Sequence, residues 1–269
     1  MRVDFHSHTN QSDGSLDPQE LANFMAERGV EAFAISDHDS LAAYESGFEP
    51  APGTRVITGI EINTTWRENE VHVLGYGVSL GESPLRELIA NNQRERRTRA
   101  EMMVDRLRRA GYSITFDDVL REAGPAKPIG RPHVAKALVR GGMTSGIESA
   151  FRDLLRRGKP GYVPQFYATP QGAIEAVAAS GGIPVLAHPG RLRDRALIEA
   201  LVPLGLRGLE VFYPLHDARD VAEFAAIARR HGLVMTAGAD FHDIRYHTGG
   251  VGIDVDETAI RPFLDLVLH

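Results

Sequence analysis

The sequence predicts an α/β protein, a βα barrel interrupted by a helical insert, and three observations predict it. Short apolar, β-prone runs alternate with helical stretches at both ends of the chain, the alternation that builds a largely parallel sheet with helices outside it. Many of these runs stop at a His or a carboxylate, and a barrel carries its site at the C-terminal ends of its strands. Between the two halves the chain turns helical and basic. These observations predict a barrel formed by residues 1–83 and 161–269, with residues 84–160 as an insert capping the site.

Arg2–Phe5 reads as the first strand. Asp17-Pro18-Gln19-Glu20 opens a helix, with Asp17 as N-cap, Pro18 at N1 and Glu20 at N3, and Gly29 ends it. Glu31–Ser36, Arg55–Glu61 and Glu70–Tyr76 read as the next strands. Pro84–Arg109 reads as a long helix: Leu85, Leu88, Ile89, Met103 and Leu107 mark its apolar stripe, and Gly111 stops it. Thr115-Phe116-Asp117-Asp118 resembles a second capping box, and helices follow at about Pro132–Arg140 and Ser145–Arg157. The alternation returns at Thr169-Pro170, which opens a helix. Ile183–His188, Gly208–Phe212 and Leu233–Asp240 read as strands, separated by helices over Ala196–Leu204 and Ala218–His231.

Composition narrows the functional classes. Hydrophobic residues make up 43% of the 269 residues, enough for a full core. No run approaches the ~18 apolar residues of a membrane span. Cysteine is absent, which removes disulfides, thiolate zinc sites and cysteine nucleophiles together. With no leader-like N-terminus, these features predict a cytoplasmic protein without a membrane partner. The net charge of −6 is uneven. From Arg86 to Lys159 there are 17 basic and 9 acidic residues, a net of +8, which leaves −14 on the remainder. A basic segment on an acidic body suggests a place for anions.

The chemistry-bearing residues are mostly His and carboxylates. In a strand, residues i and i+2 share a face, so His6 neighbours His8, and Asp240 neighbours His242. Asp13, His38, Glu61, His72 and His188 end similar runs. His231, His247 and His269 read as structural. Nine imidazole and carboxylate ligands without sulfur suit Mn, Fe or Zn ions, and several strand ends converging this way make a polynuclear site.

These motifs, His6-Ser7-His8, Ser12-Asp13-Gly14, Ser36-Asp37-His38-Asp39, Gly59-Ile60-Glu61, His72, Ala187-His188-Pro189 and Asp240-Phe241-His242, resemble those of the PHP (polymerase and histidinol phosphatase) family, in the family's order and over nearly the whole chain. The resemblance implies a distorted (β/α)7 barrel with three divalent metal ions. It assigns one ion to His6, His8, Glu61 and Asp240, a second to Glu61, His72 and His188, and a third to Asp13, His38 and His242. Asp37 is expected beside the site rather than as a ligand. Glu61, His188 and Asp240 are the residues expected to carry the chemistry. Three divalent ions against Asp13, Glu61 and Asp240 leave the pocket at about +3, so an anion is the natural guest. Closely spaced ions activate water and stabilise a leaving oxygen, which points to attack on phosphorus.

Gly130-Arg131-Pro132-His133, Arg156-Arg157-Gly158-Lys159-Pro160-Gly161-Tyr162-Val163 and Ala187-His188-Pro189-Gly190-Arg191 resemble the branch of the family that contains 3′,5′-nucleotide bisphosphatases and 5′-3′ oligoribonucleotide-trimming enzymes. That resemblance makes Arg131, His133 and Lys159 phosphate-binding candidates. His216 is a candidate substrate contact or acid. The expected partner is therefore a nucleotide or short oligonucleotide, with no long duplex, and the expected activity is a metal-dependent phosphoesterase. A small-metabolite phosphatase, such as one for histidinol phosphate, and a non-catalytic scaffold module are the alternatives. Asp254-Val255-Asp256-Glu257-Thr258 matches the Asp-x-Asp-x-Thr pattern of aspartyl-phosphate phosphatases, but too little chain follows it for that fold.

Overall fold

The computed structural model describes every residue except 68, 125–127, 166, 245–249 and 269. The first part of the chain forms β1 (Arg2–Asp4), α1 (Pro18–Glu27), β2 (Ala32–Ile35), α2 (Ala42–Ser46), β3 (Arg55–Trp66) and β4 (Asn69–Tyr76). A helical segment follows: α3 (Pro84–Arg109), α4 (Phe116–Ala123), α5 (Arg131–Arg140) and α6 (Ile147–Ala150). The rest comprises α7 (Pro170–Ala179), β5 (Ile183–Leu186), α8 (Ala196–Leu201), β6 (Gly208–Phe212), α9 (Ala218–His231), β7 (Val234–Ala237), β8 (Ile253–Asp254) and α10 (Glu257–Val267).

The strands form one sheet in the order β7-β6-β5-β4-β3-β2-β1-β8. Pairs β1/β2, β2/β3, β5/β6 and β6/β7 are parallel. The sheet nearly closes on itself just past β1 and β7. There the Phe5 N–H donates to Ala237 O at 2.9 Å, the Asp240 N–H to His6 O at 2.7 Å and the His8 N–H to Phe241 O at 2.8 Å. Closure gathers the ends of β1, β2, β5, β6 and β7 around one rim.

One strand departs from the βα alternation. β4 returns antiparallel on β3 as a hairpin and pairs antiparallel with β5 as well. β3 therefore runs on past Glu61 to Trp66, and Glu61 pairs with Leu74 while His72 pairs with Asn63. Both residues sit inside strands rather than at strand ends, because each strand gains partners from the other beyond the barrel layer. β8 is a short antiparallel addition on β1.

The barrel interior is apolar. Val3 and Phe5, Ala32 and Ala34, Leu74 and Tyr76, Val185, and Ala237 meet Phe263 and Leu264 of α10. Phe263 packs edge-on against Phe5 and Tyr76 at 5.0 and 5.1 Å between ring centroids. A buried Phe of this kind is worth roughly 1.5–3 kcal/mol. The Asp-x-Asp-x-Thr sequence is structural here: Asp254 pairs with Arg2 at 2.7 Å, and the Asp256 carboxylate caps α10 by accepting from the Thr258 N–H.

The helical segment has its own core, including Met103, Leu107, Ile114, Val119, Val134, Leu138, Leu154 and Leu155. Both capping boxes form as their spacing predicts, Asp17 with Glu20 and Thr115 with Asp118. The helix expected over Ser145–Arg157 does not run through. α6 widens into a π-helical turn over Phe151–Leu155, closed by Arg156 N–H to Phe151 O at 3.0 Å. The helix expected to Leu204 likewise tightens into a 3₁₀ turn over Val202–Leu204, ended by Gly205 at φ 100°. A buried pair ties α3 to the end of β2: Arg96 Nε donates to Asp39 at 2.7 Å, and Asn92 donates to the other carboxylate oxygen at 2.7 Å.

Candidate metal centre

All nine expected ligands stand at the same rim of the barrel, arranged around Glu61. Glu61 Oε1 lies 2.7 Å from His72 Nδ1 and 3.2 Å from His188 Nε2. Its Oε2 lies 2.9 Å from His38 Nδ1 and 3.3 Å from both His6 Nε2 and His8 Nε2. Asp240 Oδ1 closes the other side of His6 and His8 at 3.4 and 3.3 Å. His242 Nε2 lies 3.4 Å from Asp13 Oδ1, and the His242 ring stacks on that of His8.

Local backbone turns aim these side chains. His188 has φ 28° and Asp240 has φ 55°, in the left-handed region that non-glycine residues avoid. Each residue breaks out of its strand at that point, so the strands expected to reach His188 and Asp240 stop at Leu186 and Ala237. Gly238 lets the last turn pass: a Cβ there would lie 2.2 Å from His6 Cβ and 2.7 Å from Glu210 Oε1. Asp37 braces the 9–12 loop, accepting from the Thr9 N–H at 2.7 Å, the Thr9 hydroxyl at 2.6 Å and the Ser12 hydroxyl at 2.6 Å.

The electrostatics call for cations. Burial alone would raise the Glu61, Asp13 and Asp240 carboxyls, but the surrounding imidazoles hold all three well below the usual range. Burial opposes charge on His8 and His72, yet the carboxylates beside them hold these rings up to about 10 and about 9. For His38 and His188 burial prevails, and their pKa values fall. Ionised carboxylates buried this deeply need positive charge close by, and divalent cations meet that need while leaving the rings neutral.

The donor atoms fit this role. His6 Nε2, both ring nitrogens of His8, Asp13 Oδ1, His38 Nδ1 and Glu61 Oε2 are buried with no hydrogen-bond partner. Buried polar atoms are rarely left so. Three groups bring ligand atoms within 4.8 Å of one another: His6, His8, Glu61 and Asp240; His8, Asp13, His38 and His242; and His38, Glu61 and His72. Separations near 3.3 Å match the edges of a polyhedron built from bonds of ~2.0–2.2 Å. The clusters therefore suit divalent metal ions.

A cleft of about 560 Å³ adjoins the cluster. His72 and His188 form its floor, and Arg67, Arg99, Arg131, Arg156, Arg157, Arg191 and Arg193 line its sides. Of the substrate-binding candidates, Arg131 lines the cleft. The other substrate-binding candidates differ. The His133 ring is buried, its Nδ1 accepts the Gly130 N–H at 2.9 Å, and burial pulls its pKa down to about 4; it caps α5 and does not line the cleft. Both His216 nitrogens are occupied by backbone, Nδ1 with Val211 O at 2.9 Å and Nε2 with the Gly190 N–H at 3.1 Å, so His216 holds the turn after His188. Lys159 is exposed and outside the cleft lining. His231 lies 3.7 Å from Glu199, away from the site, and His247 and His269 lie outside the described residues.

Several site residues escaped the sequence reading. Glu210 is fully buried, and its carboxylate receives His6 Nδ1 and the His188 N–H. Its signal was a carboxylate inside the apolar run Gly208-Leu209-Glu210-Val211-Phe212. Arg191 Nη1 and the Tyr213 hydroxyl both donate to Asp240 Oδ2, at 3.1 and 3.2 Å. Arg99 lines the cleft although largely buried, donating to Val163 O and Gln165 at 3.0 Å each.

The PHP domain family model matches residues 4–123. A 3′,5′-nucleoside bisphosphate phosphatase from Chromobacterium violaceum is 34% identical over 97% of this chain and 92% of its own length. A 5′-3′ exoribonuclease, Rnm, from Salmonella typhimurium is 33% identical over 89% of this chain and 84% of its own. A phosphoribosyl 1,2-cyclic phosphate 1,2-diphosphodiesterase from Eggerthella lenta is 33% identical over 90% and 94%. Among solved structures, an amidohydrolase from Chromobacterium violaceum with bound sulfate superposes with TM-score 0.87 at 31% identity, covering 99% of this chain and 96% of that one. A protein from Bifidobacterium adolescentis described as a metal-dependent phosphoesterase gives 0.85 at 30% identity with the same coverage. With whole-length kinship joined to a His–carboxylate cluster at the rim of a nearly closed barrel, the chain belongs to the PHP domain family and is a metal-dependent phosphoesterase.

Proposed function

We propose that the chain releases phosphate from nucleotides that carry more than one phosphate group, of the 3′,5′-bisphosphate kind, or trims short oligonucleotides from the 5′ end. The observation that carries this reading is the arginine-lined cleft opening directly off the His–carboxylate cluster. An arginine-rich wall beside the cluster suits a substrate that carries negative charge beyond the reacting phosphate. The names of the whole-length relatives point the same way.

In this reading three divalent ions are held by the groups around His6, His8, Glu61 and Asp240, around Glu61, His72 and His188, and around Asp13, His38 and His242. Bound there, they supply Lewis-acid polarisation of phosphoryl oxygens and activation of water. The chain's own residues do the remainder. Glu61 spans the cluster through both carboxylate oxygens. Arg191, held beside Asp240, faces the reacting phosphate, and Arg131, Arg156 and Arg157 hold the second one. The segment from 84 to 160 supplies those last three residues and so closes one side of the cleft.

The test is phosphate release by the Mn²⁺-loaded chain from adenosine 3′,5′-bisphosphate, AMP, short RNA and histidinol phosphate. The reading predicts kcat/KM highest for the bisphosphate or for RNA 5′ ends. Preference for histidinol phosphate would transfer the assignment to a small-metabolite phosphatase.

A further inference from the structure

Glu70 stands where the cluster meets the arginine wall, and nothing in phosphate binding calls for a carboxylate there. One of its oxygens accepts from Arg131 Nη2 at 2.6 Å. The other lies 3.3 Å from His72 Nε2 and 3.4 Å from Asn63 Nδ2. The cleft lining contains one other described carboxylate, Asp194, which accepts the Ala196 N–H at the start of α8. Glu70 is thus the cleft carboxylate that occupies a cleft arginine.

We propose that Glu70 is an internal competitor for Arg131: it holds the guanidinium closed to weak ligands and yields it to the second phosphate of a substrate. This rests on the reading of Arg131 as a second-phosphate contact. The N–H groups of one guanidinium edge serve one anion at a time. A carboxylate anchored on His72 and Asn63 outcompetes water and a sugar hydroxyl for that edge. A phosphate dianion carries more charge and more acceptor oxygens, and takes it. The competition is set by these contacts of Glu70 with Arg131, His72 and Asn63. Its effect is discrimination, because the arginine is surrendered only to a group that out-binds the resident carboxylate.

The test is a double-mutant cycle on the full chain, with Glu70→Gln, Arg131→Ala and both together. Gln is isosteric with Glu, and the side chain is about one-third exposed at 32%, so folding is not at issue. Calorimetry on the metal-free chain reads binding of adenosine 3′,5′-bisphosphate without turnover. Glu70→Gln should tighten that binding by about fivefold, the upper end for a partly exposed ion pair, and the gain should vanish in the Arg131→Ala background. In the Mn²⁺-loaded chain, KM for the bisphosphate should fall by a similar factor while KM for AMP shifts by less than about twofold. Weaker or unchanged bisphosphate binding in Glu70→Gln, or a gain that persists without Arg131, would overturn the proposal. A wild type that binds the bisphosphate but does not hydrolyse it would instead sink the functional reading, and the binding cycle would still decide the role of Glu70.

Discussion

Glu210 and His6 form a buried pair, 2.9 Å between carboxylate Oε1 and ring Nδ1, while Glu210 Oε2 takes the His188 N–H at 2.7 Å. The carboxylate fixes the proton on Nδ1 and turns Nε2 of His6 toward Glu61 and Asp240. It also joins the end of β5 to β6. Glu210→Ala should therefore weaken metal affinity by ~10–100-fold, the usual consequence of losing a carboxylate behind a ligating His. Chelator competition measures this directly. Affinity equal to wild type would reduce Glu210 to a packing residue.

Glu61→Gln should cost more activity than His72→Ala. Glu61 faces five imidazoles through two oxygens, whereas His72 meets the cluster through Nδ1 alone. The amide also removes a negative charge that the site relies on. Parallel kcat and metal-content measurements check the order, and equal small losses in both variants would show that Glu61 does not bridge.

The packing behind His6 sets a third expectation. Gly238→Ala places a methyl 2.2 Å from His6 Cβ and 2.8 Å from His6 N, so the backbone or the ring must move. Overpacking of this kind costs about 1–3 kcal/mol. A lower Tm accompanied by reduced metal affinity is expected. A Tm loss with unchanged metal affinity would separate the packing from the site.

Much of this candidate site was legible because the motifs are local. His6 with His8 and Asp240 with His242 were legible as close neighbours from their i, i+2 spacing, although all four lie past the ends of β1 and β7 and it is the turns after those strands that bring them together. Glu61 and His72 were legible as candidate ligands but not as mid-strand residues, since the β3–β4 hairpin that extends both strands is a tertiary pairing. The backbone contacts of His133 and His216 were not legible for a related reason. Each sits in a motif beside the site, but what occupies its nitrogens, the Gly130, Gly190 and Val211 backbone, is visible only in the fold. α3 carries many arginines, and its pattern did not reveal that Arg96 and Arg99 turn inward.

Arg131→Ala should raise KM for a bisphosphorylated nucleotide by more than it raises KM for a monophosphate. Arg131 lines the cleft and pairs with Glu70, whereas Asp240 is held by Arg191. The grip of Arg131 adds binding rather than chemistry. Charge reversal at Arg156 and Arg157, which line the same cleft, should flatten the salt dependence of KM for multiply phosphorylated substrates. Steady-state kinetics over a salt series reads both effects. A change confined to kcat would place Arg131 at the reacting phosphate instead.

The most direct measurement is the metal content of the active chain. Elemental analysis after metal-replete purification, paired with the rate of phosphate release, tests whether the cluster around Glu61 is a polynuclear metal centre. The account predicts more than one divalent ion per chain, approaching three, with activity lost on chelation and restored on readdition. Full activity with one ion per chain or none would contradict it.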